Sequence, residues 1–306
     1  MANEQYALPR PDDEPGFKLH PWIPGNSPAE SRRELEAACR LAWLIREFHS
    51  RSFGFLREAG PSPDSPRAVD ELLANDPDAS EALRRSIDVF SAAASDHLAS
   101  VAHMIWAGAY LFSLPVVIRA SVENSIAACW SLNPELQPER RAERAHVLRY
   151  NDVSRFIEES PTKEISRDAK TKRRKYKKDL QDRFEDRGIA FDGNGRLTRL
   201  GETAAPTFDS QFMETSRRLG LDDGLVNHYG MLSQMAHPNP ASFEYFYQGD
   251  GVYRREPSDT KQLIWVAVFS YAQLVRHVTG YFAAPASVLE EFELAVKIAF
   301  PDFYSV

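Results

Sequence analysis

An all-α fold is what this sequence predicts, and three observations predict it. Apolar residues recur at three- and four-residue spacing over long windows. The breaks between those windows fall at prolines, at Ser-Pro and Asn-Pro pairs, and at one Asp-Gly-Asn-Gly turn. Almost no segment alternates with period two over a useful length. At 306 residues the chain is long enough to bury a large core. Apolar residues make up 43% and charged residues 26%, which is the balance of a globular protein rather than a disordered one.

Residues 1–27 hold five prolines and no periodicity, so an extended arm is expected there, followed by a single helical domain over 28–306. The first helix opens at Ser27-Pro28-Ala29-Glu30, with serine at the N-cap, proline at N1 and glutamate at N3 to reach back to the cap. PSPDSP (61–66) breaks it, and a short helix follows near 67–74. A long helix is expected from about 79 to 113, where Pro115 kinks or ends it. VVIRASVENSIAACWSL then runs to Asn133-Pro134, and further helices cover roughly 138–158 and 162–187. Asp192-Gly193-Asn194-Gly195 predicts at most one small β-hairpin. Helices near 207–219 and 222–237, a long one from about 258, and a short one near 286–299 complete the bundle.

Several function classes are excluded by what is missing. Cys39 and Cys129 are the two cysteines, with no CxxC or Cys/His ligand spacing, and HxxxH and HExxH are absent. That argues against a metal centre or a disulfide framework and predicts a reducing, cytoplasmic setting. No basic start with an apolar run opens the chain. The apolar stretches 101–118 and 263–282 carry His103, Pro115, Arg276 and His277, and read as buried helices rather than membrane spans. The signatures GxGxxG, GxxxxGK[ST] and GxSxG do not occur, so the common nucleotide-binding and hydrolase signatures are missing and no cofactor is expected. DGNGRLTRLGE is no calcium loop, because Arg196, Leu197 and Thr203 stand where an acid, the turn glycine and the closing glutamate belong.

Polar residues on apolar stripes are the candidate site. Arg119, Glu123, Ile126 and Trp130 share one helix face, and the arginine and glutamate one turn apart can pair. In MLSQMAHPNPASF, Tyr229, Leu232, Ser233, Ala236 and His237 form the stripe of a helix that stops at Pro238. The helix dipole favours a charged His237 and burial disfavours it, which would place its titration where a general base needs it. A core histidine donating to a carbonyl is the plainer reading of the same position.

Charge is the second feature. Net charge is −7, yet residues 140–199 hold 18 Lys and Arg against 11 Asp and Glu, which leaves −14 on the remainder. RDAKTKRRKYKK (167–178) places eight bases in twelve residues. Lys170, Arg174 and Lys178 line one helix face and Tyr176 offers a stacking surface, a pattern suited to a phosphate backbone. The acids of DLQDRFEDR, which follow directly, offer the alternative of a solvated, internally paired helix.

The R-x-x-x-E helix of RASVENSIAACW and the Y-x-x-L-S-x-x-x-H helix end resemble an uncharacterised bacterial all-helical family, over about residues 80–282. That family is in turn similar to the HEPN (higher eukaryote and prokaryote nucleotide-binding) superfamily. The resemblance implies a helical bundle, often dimeric, acting on RNA or nucleotides, in many cases as a metal-independent ribonuclease of defence or stress systems. The HEPN hallmark R-x(4–6)-H is matched only by RRAERAH, through Arg140 or Arg141 and His146. For such chemistry His237 would be the base, Arg119 the cation, Glu123 its orienting partner and Ser233 a phosphate ligand. The rival expectation is a non-enzymatic interaction protein whose Arg-Glu and Ser-His pairs satisfy one another in the core.

Overall fold

The computed structural model describes residues 65–68, 77–107, 113–159, 162–219, 229–234 and 257–299. These are mostly helical: α1 (Pro77–Ala107), α2 (Ser113–Ser131), α3 (Pro138–Glu159), α4 (Lys163–Arg183), α5 (Phe208–Arg218), α6 (Pro257–Phe282) and α7 (Ala286–Ala299). Residues 229–234 are also helical. Between α4 and α5 lies a small antiparallel sheet of β1 (Ile189–Phe191), β2 (Leu197–Leu200) and β3 (Thr203–Ala204), in that spatial order. The expected N-terminal arm and the Ser27 helix fall outside the described residues, as do 235–256. Among the described residues no helix is long and apolar enough to cross a membrane.

α2 is the hub, packed against α1, α5 and α6. It is buried nearly all round, from Leu114 to Ser131, so it shows little amphipathic contrast. Small residues make that possible. Ser121 donates to the carbonyl of Ala94 on α1 at 3.1 Å, while Ser125 and Ser131 return their hydroxyls to carbonyls one turn back. Between them Ile118, Val122 and Ile126 lie fully inside the main core, each stabilising it by about 1.5–3 kcal/mol. α1 contributes Leu83, Ile87, Ala94, Leu98 and Val101 to the same core, and α6 contributes Leu263, Val266, Leu274, Val275 and Val278. Pro115 sits in the first turn of α2 rather than ending α1, because first-turn amides have no helical acceptor to lose.

A second, smaller core forms where α3 and α4 meet the sheet. It consists of Val147, Tyr150, Leu180, Phe184, Leu197 and Leu200. The expected hairpin is present and gains a third strand through the pairs Arg199–Ala204 and Leu200–Thr203. Its turn is built by Asp192, whose carboxylate accepts from the amides of Asn194 at 2.9 Å and Arg196 at 2.8 Å. Gly195, with φ +77, closes that turn. Asn151 then bolts the sheet to α3. Its side-chain amide donates to the Leu197 carbonyl and its oxygen accepts the Leu197 amide, both at 3.1 Å.

Candidate functional site

Arg119 and Glu123 pair on α2 as their spacing requires, with Arg119 Nε donating to Glu123 Oε1 at 2.7 Å. The same carboxylate oxygen accepts the Tyr229 hydroxyl at 2.9 Å, and the Arg119 guanidinium lies 5.9 Å from the Tyr229 ring centre. The two helices singled out from sequence therefore do meet, through Tyr229. That ring is held between Phe208 and Phe212 of α5, at 4.8 and 4.7 Å. Burial first, and the Glu123 carboxylate second, hold the Tyr229 phenol well above its usual range, so it stays a donor. Arg119 and Glu123 keep 21% and 34% of their side chains exposed, enough for a solvent-borne group to reach them. Ser233 lies one turn beyond Tyr229 and is half-buried. His237 lies outside the described residues.

A second polar constellation surrounds the carboxyl end of α2, and the sequence reading missed it. Last-turn carbonyls of a helix have no intrahelical donor and carry the negative end of its dipole. Here arginines fill that role. Arg144 Nη1 donates to the Trp130 carbonyl at 2.6 Å, and Arg218 Nη2 donates to the Cys129 carbonyl at 3.2 Å. Arg141 donates to the Asn133 and Leu136 carbonyls of the turn that follows. Arg144 also stacks 4.1 Å from the Trp130 ring, and Glu214 of α5 clamps both, accepting from Arg144 at 2.7 Å and from Trp130 Nε1 at 2.8 Å.

Arg218 reaches further, to His277 Nε2 at 2.8 Å, while His277 Nδ1 donates to the Gln273 carbonyl at 2.7 Å. Burial pulls the imidazole down to about 4, which keeps Nε2 an acceptor for the guanidinium. Cys129 beneath it is buried, with its thiol pushed up to about 12, and is chemically quiet. The one sequence signal for this collar was position: RRAERAH follows Asn133-Pro134, where a helix has just ended.

RRAERAH itself is spent on structure. Arg140 pairs with Glu143 at 3.0 Å and with Glu202 at 3.5 Å, Arg141 caps the turn, and His146 is fully buried with Nδ1 2.6 Å from the Tyr176 hydroxyl. Tyr176 is half-buried against the second core, with Arg149 4.9 Å over its ring. It thus anchors the basic helix as well as offering an edge to solvent.

The rest of the basic island faces outward. Arg167, Lys170, Arg174, Lys175 and Lys178 are exposed, and none of them makes an ion pair among the described residues, whereas Lys172 pairs with Asp168 at 2.7 Å. Lys177 instead sits 4.1 Å over the Phe191 ring of the hairpin. Among the described residues no group of three or more His, Cys, Asp or Glu side chains is placed to hold a metal ion. No protein family, curated protein or solved structure matches the chain.

Proposed function

We propose that this chain is an RNA- or nucleotide-directed helical protein, HEPN-like in its central part. The observation that carries this reading is the outward row of Lys170, Arg174 and Lys178, exposed and without carboxylate partners among the described residues, on a protein whose net charge is −7. An acidic protein gains nothing in solubility from concentrating positive charge on one helix, whereas a polyanion gains a local attractive field. The finer reading assigns metal-independent RNA cleavage to Arg119, Glu123, Ser233 and His237. Its support is that Glu123 fixes Arg119 through Nε, the orienting task the chemistry gives it. Incubation of the full chain with RNA in excess chelator tests this. Cleavage that is lost in Arg119→Lys and His237→Ala, with melting temperatures unchanged, is the expected result, and absence of cleavage by the unmodified chain rejects the catalytic part.

One observation favours a second reading, a non-enzymatic interaction protein. Glu123 Oε1 is shared by Arg119 and Tyr229, a network of the kind that fixes helix packing. On that reading His237→Ala and Arg119→Lys lower the melting temperature and change no RNA signal.

A further inference from the structure

We infer that α4 follows a single row of phosphodiesters, as in a single-stranded RNA laid along its axis, and does so without reading base sequence. This rests on the RNA-directed reading and deepens it. At about 100° per residue, Arg167, Lys170, Arg174 and Lys178 fall within about 80° of arc on α4. The next about 60° of arc carries Glu164, Asp168, Asp179 and Asp182 together with Lys175, and so keeps an acidic excess. On the opposite flank, Lys177 is drawn onto Phe191 and the hairpin rises beside the helix. The cationic arc is therefore a strip with an acidic border on one side and a wall on the other. One phosphate row fits such a strip. A second row, as a duplex would bring, meets the acidic border.

The strip is also rigid from behind. Tyr176 and Leu180, on the reverse face of α4, lock into the second core, and the Tyr176 hydroxyl is tied to His146 at 2.6 Å. The four cations of the strip, which make no ion pair among the described residues, set the number of phosphates neutralised at about four, and flexible lysine and arginine heads contacting phosphates carry no base information.

Fluorescence anisotropy of the full chain, with a single-stranded RNA of about twelve nucleotides and a duplex of the same length, tests the inference. The single strand should bind with a salt slope near about −2.8 in log–log form, with little change between sequences. Lys170→Gln/Arg174→Gln should cut affinity at least about tenfold at low salt and reduce the slope by about half. Lys172→Gln/Lys175→Gln removes the same charge from the acidic side and should stay within about twofold. Tighter duplex binding, or equal losses in the two double variants, overturns the strip. Failure of the unmodified chain to bind either RNA at low salt overturns the RNA-directed reading itself, and the strip with it.

Discussion

Substituting Gly201 by alanine tests how the sheet is fastened to α3. Gly201 turns the chain between β2 and β3 with φ +59, and a Cβ built there would lie 2.1 Å from Glu143 Oε1 and 2.6 Å from its Cδ. Glu143 cannot simply swing aside. It is 3% exposed, accepts from the Thr203 hydroxyl at 2.8 Å and from Arg140 at 3.0 Å, and is the acceptor for both. Alanine at a left-handed φ costs about 1–2 kcal/mol. Displacing a buried carboxylate from its donors adds about 1–3 kcal/mol. A loss of about 3–4 kcal/mol is therefore expected for Gly201→Ala. Urea unfolding of the unmodified chain, Gly201→Ala, Glu143→Ala and the double variant separates the two terms. With Glu143 already truncated, Gly201→Ala should cost only the backbone part, giving a coupling of about 2 kcal/mol. Additivity within about 0.5 kcal/mol would show that the carboxylate is not what alanine meets, and would refute the reasoning.

The remaining predictions concern the arginine collar. His277 has a folded value near about 4, below its usual 6.5, so the unfolded chain binds the extra proton between those values. Stability from this group is complete above about pH 6.5 and is lost as pH falls toward 4, by roughly 3 kcal/mol. Urea unfolding at pH 7 and pH 4.5, compared with His277→Gln, checks it: the difference between the two proteins should shrink or reverse on acidification. Glu214→Gln removes the counter-charge of Arg144, whose side chain is 10% exposed, while Glu214 itself is 41% exposed. That half-open setting moderates the cost to about 1–2 kcal/mol, read as a lower melting temperature. No change would show that the Trp130 ring and carbonyl hold Arg144 without Glu214.

Much of the fold was legible because helices write themselves into sequence locally. The α2 and α3 boundaries follow from Asn133-Pro134, and the Arg119–Glu123 pair follows from four-residue spacing alone. The second core was not legible. Val147, Tyr150, Leu180, Phe184, Leu197 and Leu200 come from two helices, the bend after α4 and a strand, and no local period joins them. β3 was missed because two residues cannot show an alternation. The collar escaped for a different reason: its acceptors are backbone carbonyls, which every residue possesses, so only the arginines leave a trace. Tyr229 was placed on the right face, but nothing local announces that its hydroxyl would land on Glu123.

The two cores bear on how the candidate site divides its labour. α3 contributes Ala145 to the main core and, two residues later, Val147 to the second. The Arg119–Glu123–Tyr229 network is seated over the first, and the cationic strip of α4 is backed by the second. Among the described residues the exposed strip residues share no partner with Arg119 or Glu123, so their stability effects should add, whereas substitutions within either network should not. Any coupling between strip and network must then run through the rigid body of α3 or through an RNA long enough to span both. Comparing a short and a long RNA on Lys170→Gln, Arg119→Lys and their combination distinguishes those routes: coupling with the long RNA alone assigns it to the ligand, and coupling with both assigns it to α3.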